Sequence, residues 1–463
     1  MHFISFNMVD GNKKFNPLEL LDKGGIKYLL RGTMLITFFV AFLDGYDLVN
    51  IGFYLKTITI QFHATALEEG LISSILIGGA AIGAVLFGYL GSKLGPRKMI
   101  IIDFLLYGIG AVLSALSINV FMLLGMRFII GLGFGGDFAL APALIADLVP
   151  RERRGRYQAI MFYGYPAGAF VAILLSLLLY LAGLPGTVAW RYVLGLAIIP
   201  TIVVIILRSR LSQSPRWLLY TGKLKEFMQE TSRLSGVDEK NMENLTIKRS
   251  KTSDIFTKYG KQFVAVMMGF LALALGFPVL YVAIAVSSVG ITSVTSVLGF
   301  DLLEWAIAIV GVTFVYLTVD SKSKLMGRKF NLGLGIGLEG LMNLLIGLLL
   351  APRYALLVVV LIGISLFGVY VIESQALTLQ GEIFPSDIKS TAGGFTFGLN
   401  RLIYFIDSTL VSIAFAVHFF GAFLIIEAII QFAALIVFLL IGVETKSRSL
   451  EEITLADETI IGD

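Results

Sequence analysis

Apolar runs separated by short polar breaks fill nearly the whole chain, at 30–53, 69–91, 99–117, 119–147, 157–182 and 189–209, then at 260–285, 297–319, 329–350, 353–383, 389–417 and 421–442. About 20 apolar residues in helical form cross the hydrocarbon of a bilayer, so the pattern predicts twelve transmembrane helices in an all-α membrane protein. Residues 210–259, rich in Lys, Arg, Glu and Ser, divide the runs six and six and cannot themselves cross. The expected order is an N-terminal segment 1–29, a six-helix bundle 30–209, a linker 210–259, a second bundle 260–442 and a tail 443–463.

The halves echo one another. Gly95-Pro96-Arg97-Lys98 after the second run matches Gly327-Arg328-Lys329 after the eighth, an offset of 232. Asp147-x-x-Pro150-x-x-x-Arg154 after the fourth matches Glu382-x-x-Pro385-x-x-x-Lys389 after the tenth, an offset of 235. Two landmarks in the same order at nearly one spacing indicate a duplicated chain with pseudo-twofold symmetry, as carriers have.

Composition narrows the chemistry. Of the 463 residues 57% are apolar and 15% charged, against about 45–50% and about 25% in soluble domains. There is no cysteine, and the histidines at 2, 63 and 418 have no ligand spacing, which argues against thiol catalysis and metal or haem sites. The glycine-rich stretch Gly131 to Gly136 starts inside an apolar run, follows no strand and lacks a Lys-Ser/Thr pair, so it reads as close helix packing rather than a nucleotide loop. Neither an enzyme nor a nucleic-acid binder is expected, and with no cofactor or ATP-hydrolysing apparatus the energy source is an ion gradient.

The formal charge is only +4, but its placement gives an orientation. One set of loops carries Lys93, Arg97 and Lys98; Arg151, Arg153, Arg154 and Arg156; Lys322, Lys324, Arg328 and Lys329; and Lys389, whereas the other set carries little beyond Lys56 and Arg353. The positive-inside rule puts the basic loops, the linker and both termini in the cytoplasm of a cell whose membrane the chain crosses many times. Lys13, Lys14, Lys23, Lys27 and Arg31 precede the first run without a cleavage site, so the first helix is expected to act as its own insertion signal.

Acids inside apolar runs are the informative residues, because a charge at the bilayer centre costs several kcal/mol unless paired or hydrated. Asp44 and Asp47 lie three apart on one face of the first helix. At a rise of about 1.5 Å per residue, Asp47 stands about 9 Å from the outer end of its run and Arg127 about 12 Å below the same surface, so the two can meet. An aspartate beside an arginine stays ionised, and separating them favours the proton; a pair made and broken during a cycle therefore couples protonation to conformation. A static buried salt bridge is the competing reading. Asp137 falls near the midplane, as a second proton site, a substrate ligand or a helix-packing group.

Gly88-Tyr-Leu-Gly-Ser92-Lys93-Leu-Gly95-Pro96-Arg97-Lys98 resembles the signature loop of the major facilitator superfamily, departing at Ser92, usually an aspartate, and at Pro96, usually basic. Arg127-Phe-Ile-Ile-Gly131-Leu-Gly133-Phe-Gly135-Gly136-Asp137, Asp147-Leu-Val-Pro150-Arg-Glu-Arg-Arg154-Gly155, Ser214-Pro215-Arg216-Trp217-Leu218 and Glu382-Ile-Phe-Pro385-Ser-Asp-Ile-Lys389 extend the likeness over nearly the whole chain. Together they resemble the sugar porters and the related phosphate, aromatic-acid and metabolite proton symporters. The resemblance implies the major facilitator fold, alternating access, and a functional monomer that moves a small solute with a proton. It also implies a coupling role for Asp47 and Arg127, and Asp44 and Asp137 resemble the phosphate and aromatic-acid branch.

Asp147 and Glu382 stand at inner helix ends next to Arg154 and Lys389, and with Lys93 and Arg97 they are expected to latch the cytoplasmic side. The fifth- and seventh-span amides of sugar porters fall here at Phe162, Ala169, Ala272, Leu273 and Pro278, so a hydroxyl-rich hexose lacks its partners. Tyr46, Tyr163, Tyr165, Tyr281, Glu373, Gln375, Asn400 and Arg401 remain as candidate substrate ligands, aromatics plus a cation suiting a carboxylate-bearing or aromatic solute; Arg401 also fits an inner-interface position. Glu304 and Glu339 are expected to be peripheral. Other readings are an exporter of drugs or metabolites and a non-transporting nutrient sensor.

Overall fold

Helices follow one another along the chain, and proline and glycine set their ends. The computed structural model describes residues 15–23, 27–209, 213–242, 249–275 and 294–454. The N-terminal half comprises α1 (Pro17–Lys23), α2 (Lys27–Phe62), α3 (Ala66–Leu94), α4 (Pro96–Ala115), α5 (Val120–Leu148), α6 (Arg154–Phe162), α7 (Gly164–Leu181), α8 (Gly186–Leu196) and α9 (Ile198–Ser209). The linker forms α10 (Pro215–Tyr220), α11 (Leu224–Ser235) and α12 (Asp254–Thr257). The C-terminal half comprises α13 (Gly260–Ala274), α14 (Val294–Thr318), α15 (Arg328–Leu349), α16 (Ala355–Glu382), α17 (Lys389–Ala416) and α18 (Phe420–Ile441), followed by the short α19 (Leu450–Thr454).

Among the described residues nine spans are long and apolar enough to cross a membrane, with α6–α7 and α8–α9 each counting once. With α13, α14 and α17 they make the twelve helices that the apolar runs predict. The fifth and sixth spans each break where a proline four residues on removes a donor and crowds the carbonyl of the residue ending the first segment: Pro166 behind Phe162, Pro200 behind Leu196. The first span ends later than its hydropathy predicts, at Phe62 rather than 53. Lys56, Thr57, Thr59 and Gln61 interrupt the apolar pattern but not the helix, which stops only where His63 adopts a φ of 52° and the Thr65 capping box starts α3.

The halves meet along α3 against α17, α5 against α16 and α17, and α14 against α6 and α7. A Cβ on Gly88 would stand 2.5 Å from the Ser390 carbonyl oxygen, so only glycine lets α3 and α17 come this close. The outer face is apolar: Phe121 is 72% exposed, Ile429 62% and Leu440 78%, which suits contact with lipid chains rather than water.

Candidate functional site

The centre of the molecule is built from α2, α4 and α5 on one side and α16 and α17 on the other. Arg127 on α5 is fully buried; its Nη1 donates to Asp47 Oδ2 on α2 at 3.2 Å and its Nε to the Ile72 carbonyl at 3.1 Å. Because α2 runs on to Phe62, Asp47 lies about 22 Å from its end while Arg127 lies about 10 Å from the start of α5. Helix counting from the apolar runs placed Asp47 too close to its helix end, and the two side chains meet because α2 projects past the start of α5.

One turn before Asp47, Asp44 is buried with Oδ2 unbonded, and the charges acting on it are those of Asp137, Arg401, Glu373 and Asp47. Asp137 has a neighbour that the sequence reading passed over, Asp103 on α4. Its carboxylate lies against Gly136, where a Cβ would come within 2.6 Å of Oδ2, and neither of its oxygens is hydrogen-bonded. Arg208 on α9 acts on Asp137 and is itself fully buried. An isolated charge in Ile100-Ile-Ile-Asp103-Phe-Leu-Leu was the available signal for Asp103.

Arg401 lies in the core, not at the inner interface. It is 2% exposed, and its guanidinium sits 4.5 Å from the centroid of Phe397, 5.3 Å from that of Phe134 and 5.9 Å from that of Phe138, a box built by both halves. Glu373 beside it keeps Oε1 unbonded, and Gln375 is buried with neither amide atom bonded. Asn400 spends its amide nitrogen on the Phe270 carbonyl at 2.8 Å. The tyrosines divide. Tyr46 gives its hydroxyl to the Val193 carbonyl at 2.6 Å within the N-terminal half, and Tyr163 bonds Thr313 Oγ1 across the halves at 2.8 Å. Tyr165 packs its ring 5.5 Å from Trp305 and leaves its hydroxyl unbonded. Tyr281 and Pro278 lie outside the described residues. Glu304, expected at the periphery, is buried at 4% exposure on α14, where it acts electrostatically on Tyr370 and Tyr404 of its own half. Glu339 is fully buried, with Ser365 donating to its Oε2 at 2.9 Å.

At the end where the linker attaches, ion pairs and hydrogen bonds join the halves. Lys389 Nζ reaches Asp147 Oδ1 at 2.6 Å, and Ser386 and Ser214 also donate to that carboxylate. Glu382 takes two bonds from Arg328, at 2.9 and 3.2 Å, and one from Thr445 Oγ1. Arg154 reaches Asp22 of α1 at 3.5 Å instead of Asp147. The expected Asp147–Arg154 and Glu382–Lys389 neighbours are therefore re-paired, because the turn at 149–153 carries Arg154 away from its own acid. Arg216 gathers Asp22 at 2.6 Å, Glu451 of α19 at 3.0 Å and the Asp147 carbonyl at 2.7 Å. Burial alone would lower its pKa, but the Glu451, Asp22 and Asp147 carboxylates raise it above the ordinary arginine value. Ser92 accepts from the Thr391 amide and hydroxyl, bridging the halves without the usual aspartate. Lys93 is exposed over the Tyr89 ring at 4.3 Å, and the Arg97 amide donates to Gln213 Oε1.

A family model described as sugar (and other) transporter matches residues 33–456. The probable metabolite transport protein CsbC of Bacillus subtilis is 27% identical over 436 residues, covering 89% of this chain and 91% of its own. The arabinose-proton symporter of the same organism is 29% identical over 441 residues, with 89% and 91% covered. A structure of the proton:xylose symporter XylE bound to 6-bromo-6-deoxy-D-glucose superposes with a TM-score of 0.77 at 21% identity, over 94% of this chain and all of that one.

Proposed function

The chain belongs to the sugar (and other) transporter family, and on that premise we propose that it is a proton-coupled symporter importing a small polar organic solute, sugar-like or an organic acid. The units that rock about the central cavity are 30–209 and 260–442, joined by the linker 210–259. The linker and both termini face the cytoplasm, so the latched end is the cytoplasmic one. The observation that carries the reading is the fully buried Asp47–Arg127 pair, with Arg127 Nη2 left without a partner. Protonation of Asp47 releases Arg127, solute binding lets the outer side close, and loss of the proton inside resets the carrier. The name of the 29%-identical arabinose-proton symporter supports the coupling.

For the solute, Phe162, Ala169, Ala272 and Leu273 offer no amide to a hexose, while Arg401 in its aromatic box and the unbonded amide of Gln375 suit a carboxylate. The carrier works as a monomer in the bilayer, with the proton gradient as its energy source. The test uses proteoliposomes and whichever solute a thermal-shift screen of sugars, phosphate and carboxylates selects. Asp47→Asn abolishes uphill, pH-driven uptake and spares exchange; uphill uptake at the unmutated rate refutes the coupling.

A further inference from the structure

The C-terminal half buries three carboxyl groups that the Asp47–Arg127 scheme does not use. Asp407 on α17, Glu427 on α18 and Glu339 on α15 are 7%, 2% and 0% exposed. Asp407 and Glu427 lie within hydrogen-bonding reach of one another, and Glu339 acts on Glu427 electrostatically. Apart from that mutual contact neither Glu427 oxygen has a partner, nor has Glu339 Oε1. Among the described residues no Lys or Arg forms a salt bridge with any of the three.

A second feature leads into the cluster. Asn331, Glu339 and Asn343 fall on one face of α15, all fully buried, and bond respectively to Thr318, Ser365 and Gln431. Gln431 stands one turn from Glu427 on α18 and donates to the Ala272 carbonyl of α13. Buried polar groups thus run from the carboxyl pair through Gln431 and Asn343 to Glu339, and after two apolar turns of α15 comes Asn331, one turn from Arg328 and the Glu382 that it holds. Facing the pair are Glu339 from α15 and, on α17 itself, Tyr404, on which Arg401 and Glu304 also act.

Two carboxylates in hydrogen-bond contact, out of water and without a cation, repel strongly, and one proton held between them removes the repulsion and makes the bond. Among the described residues no group of three or more His, Cys, Asp or Glu that could hold a metal ion is found, and a single proton satisfies the pair with no further ligand. We propose that Asp407 and Glu427 form a second proton-binding site, holding one shared proton in the C-terminal half.

The full chain is purified as the parent, Asp407→Asn, Glu427→Gln and Asp47→Asn, and infrared difference spectra are recorded as pH is stepped. A titrating protonated-carboxyl band present in the parent and in Asp47→Asn is lost in Asp407→Asn and Glu427→Gln alike, because each removes half of one site. The pH profile of the melting temperature gives a second readout, and either C-terminal substitution flattens it. Both signals surviving in both C-terminal variants overturn the proposal, as does loss of the band in Asp47→Asn. Exchanging choline for sodium at constant ionic strength leaves band and profile unchanged; a sodium-specific change assigns the site to sodium and overturns the proton.

Discussion

Asp147 is held by Lys389, the residue that the internal repeat aligns with Arg154, at 2.6 Å and out of contact with water. The reciprocal relation also holds, since Glu382, the counterpart of Asp147, acts electrostatically on Arg154. Asp147 is thus salt-bridged across the halves and Glu382 attracts Arg154 across them without a salt bridge, so rocking the halves apart must break the first relation and weaken the second.

Lys389→Met leaves the Asp147 carboxylate buried without its cation, and removing one member of a buried pair costs about 3–5 kcal/mol. The expected result is a lower melting temperature and faster maleimide labelling of a cysteine placed at Thr378, a clean reporter because the chain has no cysteine of its own. Asp147→Asn with Lys389→Met is milder than the sum of the single changes, measured as a double-mutant cycle.

Arg216 ties α1, α5 and α19 to one guanidinium, so Arg216→Ala strands the buried Glu451 carboxylate and leaves Asp22 only its longer pair with Arg154. Limited proteolysis is expected to release the two chain ends at least several-fold faster than in the parent. A group whose folded pKa is raised contributes stability below its unfolded value and loses it only above the folded one. The Arg216 clasp is therefore intact at about pH 9 as at neutrality, since arginine ordinarily titrates at about 12.5 or above. Accelerated cleavage of the parent at that pH would contradict the assignment.

Gly88→Val forces α3 away from the Ser390 carbonyl of α17. Overpacking typically costs about 1–3 kcal/mol, and here the strain falls on the contact between halves rather than within one. Transport should fall steeply while the melting temperature moves by a few degrees; unchanged transport rates would show that the two helices separate without cost.

Arg401→Gln keeps a polar side chain in the box formed by Phe134, Phe138 and Phe397 but removes the charge. A carboxylate present at about 100 times its Kd stabilises the parent by about 2.7 kcal/mol, and most of that thermal shift is expected to vanish in the variant. Neutral sugars should give the same small response in both, and a carboxylate response retained in Arg401→Gln argues against the guanidinium as ligand.

Periodicity and composition alone yield the twelve helices, the duplication and the candidate pair Asp47 and Arg127. These are local properties: an apolar run of membrane length has few alternatives to a helix, and an ionisable residue inside it is conspicuous wherever the helix packs. Helix ends needed local detail that hydropathy averages away, as in α2, where Lys56 and Gln61 continue the helix to Phe62. The tertiary structure alone decided which acids meet which bases, the burial of Arg401 among three phenylalanines, the burial of Glu304 and the contact of Asp407 with Glu427. Such encounters depend on the rotation and crossing of helices far apart in sequence, and close glycine contacts such as Gly88 against Ser390 help to set them. No pattern along a single strand of sequence carries that geometry.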